Sequence, residues 1–235
     1  MNSPVQAFKC LFQGFNLLMQ PELRHFIIAP LIINLLLFGL ALVTGVHYFA
    51  VFMNNIIPGW LEFLVWLIWP LFGLSFLLMV YFSFTLIANV IASPFYSILA
   101  EKAIQHIEGE RGVVSQSKIS QAVVTGITSS LKRLGYFLLR AIPLLILFII
   151  PGVNLVAPFV WMAFSAWVVA QEYMAYPLEA KGYDFTRQRG VVKTMRLGLL
   201  TYGGLIMLGL AIPLLNILIP PAAVVGAVLL QKDDA

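Results

Sequence analysis

Two long stretches of this 235-residue chain contain no Asp, Glu, Lys or Arg. They run from Phe26 to Met53 and from Phe63 to Ala100. As α-helix, the first stretch of about 28 residues reaches roughly 42 Å, which is enough to cross a bilayer with some tilt. The second is longer than a bilayer requires, so we expect it to bend at Pro70 or near Pro94, or to project its last turns into the cytoplasm. The two stretches predict two long transmembrane helices.

The amino-acid composition also favours a lipid bilayer as the surroundings of the chain. Hydrophobic residues make up 61% of the chain and charged residues only 10%, whereas soluble domains carry about 25% charged residues. So few charges cannot cover a water-facing surface. The net charge of +4 is spread through short loops and forms no patch interleaved with aromatic residues, so we predict no nucleic-acid partner.

Two pairs of shorter apolar arms follow in the second half of the chain, each arm about 14 to 17 residues long. They are Tyr136–Ile150 with Leu155–Gln171, and Leu197–Ile212 with Ile217–Leu230. The residues that join and follow the first pair recur 62 residues later at the second, as Pro151, Asn154 and Pro158 and then Pro213, Asn216 and Pro220. A register of 70, from Ala-Ile-Pro-Leu-Leu at Ala141 and Ala211, competes but does not align turn with turn. We predict an internal repeat of a helical hairpin.

Each arm reaches only about 21 to 26 Å as helix, and a span normally needs about 20 residues. Interrupted apolar segments in paired positions are typical of transport sites, where protein or water surrounds the broken backbone. We therefore expect re-entrant hairpins that penetrate half of the bilayer. Two thin hairpins that span it fully are the alternative.

The basic residues predict the orientation of the chain. The turn between the two long stretches has no Lys or Arg, and thirteen of the fourteen basic residues lie in four other polar segments. The positive-inside rule places those segments, and both termini, in the cytoplasm. The predicted organisation is an N-terminal amphipathic helix and a helix start in 1–25, two long transmembrane helices in 26–100, a cytoplasmic helical segment in 101–135, a re-entrant hairpin in 136–171, a cytoplasmic segment in 172–196, and a second re-entrant hairpin with the tail in 197–235.

The N-terminal helix begins at Ser3-Pro4 and repeats apolar residues at helical spacing, namely Val5, Phe8, Phe12, Phe15 and Met19. Such a helix lies either flat on the membrane surface or packed against the protein's own cytoplasmic part.

Motifs for covalent chemistry are missing from the sequence. The three histidines share no metal-ligand spacing, and there is no Ser-His-Asp order, nucleotide-binding loop or dinucleotide glycine fingerprint. We therefore predict no enzyme activity, no catalytic residue, no metal and no cofactor. The glycines inside the apolar segments are predicted to serve close helix packing.

One polar feature precedes the first long stretch, in Gln20-Pro21-Glu22-Leu23-Arg24-His25. Pro21 sets a helix start, where the amides of Glu22, Leu23 and Arg24 lie at the positive end of the helix dipole and suit an oxyanion. Arg24 adds a fork of donors. The alternative is a cationic anchor beside the membrane.

A second feature is Arg140, about five residues inside an apolar arm. An intramembrane Arg is costly and indicates function, so we predict that Arg140 lies in a translocation path with Glu172. Glu172 or Glu179 could pair with Arg140 or line an entrance. The alternatives are an Arg140 side chain that reaches the interface and a solvated loop that holds the acids.

A series of short motifs, taken in their order along the chain, resembles the CysZ sulfate permeases of bacteria over nearly the whole length. The resemblance rests on Gln13-Gly14, Gln20–Phe26, Ala88-Asn89, Ala92–Phe95, Arg140–Ile142, Ile150–Gly152, Ala157-Pro158, Ser165–Trp167, Tyr173, Tyr176-Pro177 and Ile212–Asn216.

The resemblance implies an all-α integral membrane protein of the bacterial inner membrane, with two long transmembrane helices, two half-penetrating helical hairpins and a homo-oligomeric state. It also implies sulfate uptake through a channel-like permease that supplies cysteine biosynthesis. The family's sulfate site falls on Leu23 and Arg24. Glu22 and His25 stand where the family usually has Gly and a second Arg, so the acid would weaken binding and His25 would favour binding at lower pH.

The predicted partners are sulfate, the lipid bilayer and further copies of the chain. Two rival functions are a membrane scaffold or assembly protein and a channel for another anion such as sulfite or thiosulfate. An Arg inside an apolar arm and paired broken helices favour transport over scaffolding.

Overall fold

The computed structural model describes residues 3–56, 65–109, 119–212 and 215–232, and regular structure in those ranges is helical. The helices are α1 (Pro4–Leu18), α2 (His25–Ile56), α3 (Val65–Glu108), α4 (Ile119–Ile146), α5 (Ala157–Ala180), α6 (Phe185–Thr194), α7 (Arg196–Leu210) and α8 (Ile219–Lys232). The chain divides into two compact units, one of residues Ile28–Phe95 and one of Met1–Ile27 with Tyr96–Ala235.

The unit Ile28–Phe95 contains most of α2 and α3, the helices predicted from the two charge-free stretches. Phe49 of α2 stacks on Phe72 of α3, and a side chain at Gly45 would meet the ring of Phe76. Phe49 lies against Phe72, and Gly45 lies against Phe76. Residue numbers therefore rise in opposite directions along α2 and α3, and the two helices run antiparallel. α3 continues past the predicted stretch to Glu108 and includes both Pro70 and Pro94.

Within the described ranges, the part of α2 from Leu31 to Met53 has the length and composition of a membrane span. A second candidate arises only if α6 and α7, which meet at an angle of 99°, are counted as one span. The outward leucines of α2, among them Leu35, Leu36 and Leu40, are exposed. A continuous apolar surface of this kind is costly in water and suits lipid.

The other unit is built around α8, which is buried along nearly its whole length. α1, α5 and α7 all pack on it. Its small residues allow close approach: a side chain on Gly226 would meet the backbone of Cys10 and Leu11 in α1, and one on Gly14 would meet the backbone of α8. Gly203 of α7 lies in the same way against the backbone of Ala166 in α5. These contacts confirm the predicted packing role for Gly14, Gly203 and Gly226. The prediction is wrong for Gly39, Gly73, Gly135 and Gly204, which face open space.

The two apolar arm pairs form two hairpins with the same turn. A 3₁₀ turn at Val153–Leu155 precedes α5 in the first hairpin, and one at Leu215–Ile217 precedes α8 in the second. The amide of Asn154 donates to the carbonyl of Ile150, and that of Asn216 donates to Ile212, at 3.0 and 2.9 Å. All of these positions differ by 62 residues, so the predicted repeat and its register are confirmed.

The turn of the first hairpin uses Gly152, whose φ of 83° is one that other residues rarely adopt. The equivalent residue of the second hairpin, Leu214, lies outside the described residues, as does Pro213. Pro158 and Pro220 occupy the first turns of α5 and α8, where a missing amide hydrogen costs no hydrogen bond.

α1 satisfies parts of both alternatives predicted for it. Its small face, formed by Ala7, Cys10, Gly14 and Leu18, is buried against α8 and α7. The face predicted to be apolar points outward, with Val5, Phe8, Phe12 and Met19 exposed. The helix thus packs on the protein and still offers an aromatic face that suits a lipid surface.

Candidate anion-binding site

The predicted oxyanion site lies in the turn that joins α1 to α2. Residues 21–24 form this turn, and α2 begins at His25. The amides of Leu23 and Arg24 both donate to the carbonyl oxygen of Gln20, at 3.1 and 3.0 Å. Because these donors are used inside the turn, an anion bound here would be held by the exposed Arg24 side chain and the Glu22 amide.

Neighbouring side chains fix this turn. Leu23 is only 2% exposed and anchors the turn in the protein, while the His25 ring packs on the Phe26 ring with centroids 4.2 Å apart. The carboxylate of Glu22, 73% exposed, lies 3.1 Å from Nδ1 of His106 in α3. Sequence reasoning missed this pair because the two residues are far apart in the chain. A protonated His106 would offset part of the repulsion between Glu22 and an incoming anion.

Arg140 is exposed on α4. Its guanidinium lies 3.5 Å from the centre of the Tyr136 ring, and Nη1 donates to the Tyr136 carbonyl at 3.4 Å. The structure pairs Glu179 with Arg133 instead of Arg140. Arg133 and Glu179 join α4 to α5, and Gln188 of α6 donates to the same carboxylate oxygen at 3.5 Å.

Glu172 lies on α5, where its side chain reaches the surface. The protein packed around it raises the pKa of its carboxyl above the ordinary value, and the Arg133 guanidinium opposes that shift. No ion pair joins Glu172 to Arg140 in the part of the chain that the structure describes.

Arg140 also lines a pocket of about 480 Å³ that sequence reasoning did not foresee. Four basic side chains meet there, Arg140 of α4, Arg189 and Lys193 of α6, and Arg196 of α7, beside three apolar or aromatic ones, Tyr136, Trp167 and Leu200. We call this the cationic pocket. Arg189 lies 4.4 Å from the centre of the Tyr136 ring, the ring that Arg140 also covers.

A signal for the cationic pocket exists in the sequence. Arg189, Lys193 and Arg196 are spaced by four and three residues, which places side chains on one face of a helix. Basic residues in a segment such as 172–196 also indicate the cytoplasmic side, so their spacing alone does not distinguish a binding site from an orientation signal. The corner between α6 and α7 lies between Lys193 and Arg196, and it turns the chain by 99°.

In the part of the chain that the structure describes, the fold and these sites define a class of protein: a helical protein, compatible with a membrane, that has broken apolar hairpins and exposed cations at the ends of apolar helices. Within the described ranges, no three His, Cys, Asp or Glu side chains are grouped to hold a metal ion.

The chain belongs to the family described as Sulfate transporter CysZ/Etoposide-induced protein 2.4, whose model matches residues 10–221. It is 39% identical to the sulfate transporter CysZ of Pseudomonas fluorescens, over 93% of this chain and 90% of that protein. The CysZ of Pectobacterium atrosepticum is 37% identical, over 94% of this chain and 82% of its own length. That of Pseudomonas aeruginosa PAO1 is 35% identical, over 93% and 91%. The chain is therefore a membrane protein of a transporter family.

Proposed function

We propose that this chain is a permease that carries sulfate across the bacterial inner membrane and supplies sulfur for cysteine biosynthesis. The observation that carries this proposal is the family match over residues 10–221, together with relatives named sulfate transporters at 35–39% identity. The exposed cations of the structure support an anionic cargo.

The proposed topology places both termini in the cytoplasm and lets the two hairpins re-enter the bilayer from that side. Two observations support it. The basic residues Arg189, Lys193 and Arg196 gather where the first arm of the second hairpin begins, and the hairpin tips carry exposed apolar side chains such as Ile149 and Leu155. We further propose that copies of the chain associate into a homo-oligomer.

The proposed sulfate site comprises Glu22, Leu23, Arg24 and His25. The exposed Arg24 guanidinium supplies a permanent charge and a fork of donors that matches a tetrahedral oxyanion. The Glu22 amide adds a donor, and the buried Leu23 holds the turn in place. His25 adds attraction when it is protonated, so affinity should rise as pH falls. From this site the ion would pass along a channel-like path that includes Arg140 and Glu172.

The proposal is tested by uptake of radiolabelled sulfate into proteoliposomes, with sulfite and thiosulfate as competitors, and by calorimetric titration of sulfate into the detergent-purified protein. A charge-assisted hydrogen bond contributes about 1.5–3 kcal/mol. Arg24→Ala should therefore weaken sulfate binding roughly ten- to a hundredfold and reduce uptake.

Arg187→Ala is the matched control, because Arg187 is exposed on α6 and its guanidinium covers Tyr183. Its affinity and uptake should equal those of the wild type. Glu22→Gly removes a nearby negative charge and should tighten binding. An unchanged sulfate affinity in Arg24→Ala would show that sulfate does not bind at this turn. An absence of sulfate flux in the wild type would favour a scaffold function.

A further inference from the structure

The cationic pocket concentrates positive charge that its own lining does not neutralise. Among the residues that the structure describes, three Arg and one Lys line it, and no Asp or Glu does. Four like charges around one cavity repel each other, and the repulsion is weakened only by water and salt where the pocket is open. An anion that enters the pocket relieves this repulsion.

The acidic residues nearest to the cationic pocket in the chain are engaged elsewhere. Asp184 caps α6 by accepting a hydrogen bond from the amide of Arg187 at 3.1 Å. Glu179 pairs with Arg133, and Arg133 is also the cation whose charge acts on the carboxyl group of Glu172. In the part of the chain that the structure describes, none of these carboxylates balances the pocket.

Aromatic contacts orient two of the four cations. The guanidiniums of Arg140 and Arg189 lie 3.5 and 4.4 Å from the centre of the Tyr136 ring, and Arg189 is also 5.9 Å from that of Phe185. Such contacts hold a guanidinium plane in place but use none of its five N–H donors. Arg140 Nη1 donates one hydrogen bond to the Tyr136 carbonyl. The other guanidinium donors favour an oxyanion with several acceptor oxygens, to which Arg binds in a bidentate way.

The surroundings of the cationic pocket are apolar. Leu139, beside Arg140, is 72% exposed, and Leu197, beside Arg196, is 58% exposed. Trp167 and Tyr136 line the pocket itself, and such amphipathic rings are typical of the membrane interface. The volume of about 480 Å³ falls in the range of pockets that hold organic ligands.

We propose that the cationic pocket is a second oxyanion site, which takes the phosphate of an anionic lipid headgroup or a free sulfate ion. In the lipid case the phosphate lies among the four cations and the acyl chains follow the exposed leucines of α4 and α7. In the sulfate case, which rests on the proposed function, Arg140 belongs to the route of the ion.

The test uses the full chain, purified in detergent, in an Arg24→Ala background that removes the turn as a competing site. Calorimetric titrations use sodium sulfate at constant ionic strength, a short-chain phosphatidylglycerol, and the phosphatidylcholine of the same chain length. The variants are Arg189→Gln, Lys193→Gln and their combination. Arg187→Gln is the matched control on the same helix, because Arg187 does not line the pocket.

Each single variant should weaken the binding of phosphatidylglycerol or of sulfate by roughly three- to tenfold, and the combination by more than tenfold. Arg189→Lys keeps the charge and should recover part of the affinity, while Arg187→Gln should stay within about twofold. An effect on phosphatidylglycerol identifies the lipid as the source, and an effect on sulfate identifies the transported ion.

Unchanged titrations of both anions in the combined variant would overturn the proposal, and so would an equal loss of phosphatidylcholine binding, since the pocket would then not discriminate by charge. These results are separable from the proposed function. Wild-type proteoliposomes without sulfate flux, together with a lipid effect in the variants, would refute sulfate transport and leave the lipid site standing.

Discussion

The first hairpin, α4 with α5, and the second, α7 with α8, close through the same turn but differ in what surrounds them. α8 lies in the middle of its unit, covered by α1, α5 and α7, and Ala222, Ala223 and Gly226 are buried in it. α4 carries a row of exposed apolar side chains up to the tip of its hairpin, where Ile149 is 80% exposed.

The difference shows that a repeated turn sets the direction of the chain and leaves burial to side-chain size and to the neighbouring helices. α8 is rich in Ala, Gly and Val, so other backbones can approach it closely. α4 is rich in Leu and Ile after Arg140, and these side chains face outward. We infer that the first hairpin offers its apolar surface to lipid, whereas α8 forms the protein's own core.

The sharpest test of the shared turn is chemical accessibility. We expect single cysteines at Asn154 and Asn216, placed in a Cys10→Ala background, to resist a membrane-impermeant reagent added from outside, because both tips would end inside the bilayer. Labelling is close to all or none, so the expected effect is large. Labelling in intact cells, compared with labelling after solubilisation, measures it.

Rapid labelling of both tips from outside would favour hairpins that span fully. Labelling of one tip only would show that the two hairpins are not equivalent, since the same kind of turn would then lie at a different depth in each.

A second test compares two packed glycines of the second hairpin with glycines that face open space in either hairpin. A methyl group on Gly226 of α8 would meet the backbone of α1, and one on Gly203 of α7 would meet the backbone of α5. Gly226→Ala and Gly203→Ala should therefore each destabilise the protein by roughly 1–3 kcal/mol, as overpacking does. Thermal unfolding in detergent measures the change.

The controls are Gly204→Ala and Gly135→Ala, because both glycines face open space. Gly204 adjoins Gly203, and Gly135 lies on α4 of the first hairpin. Alanine favours helix over glycine by up to about 1 kcal/mol, so these variants should be as stable as the wild type or more stable. Equal losses at all four positions would contradict the packing described for α8.

The smallest expected effect concerns the base of the first hairpin, where Arg133 of α4 pairs with Glu179 of α5 and both side chains are largely buried. Arg133→Gln should cost roughly 1–2 kcal/mol, a value between those of exposed and buried ion pairs, because both side chains keep some exposure. The carboxylate would keep Gln188 as a partner. The exposed neighbour Lys132 provides the control Lys132→Gln.

A double-mutant cycle with Glu179→Gln isolates the interaction between the two side chains, again by thermal unfolding. Additive losses would show that the pair contributes nothing to holding α4 against α5.

Local features of the fold were predictable from the sequence because they depend on neighbouring residues. The repeat of Pro and Asn at a spacing of 62 residues predicted both hairpin turns. The absence of charged residues between Phe26 and Met53 predicted α2. The outward aromatic face of α1 followed from helical spacing. The partners of charged side chains were not predictable, because Glu22 with His106 and Arg133 with Glu179 are long-range pairs.

The candidate site shows the same division. The sequence identified Arg24 and Arg140 as unusual cations, since a charged residue beside or inside an apolar segment can be recognised from the linear sequence alone. It did not show that the amides of Leu23 and Arg24 are used by Gln20, because hydrogen bonds within a turn depend on its exact backbone course.

The sequence by itself therefore determined the class of the protein, the helices of its apolar segments and its repeated hairpin, since hydrophobicity and turn residues act over short distances. It did not predict α6. The tertiary structure alone decided which hairpin helix is buried and which cations meet. Four basic residues from three helices form one pocket for two reasons. The chain turns by 99° between α6 and α7, and α4 packs beside α6. The packing of distant helices sets that convergence, and no local pattern encodes it.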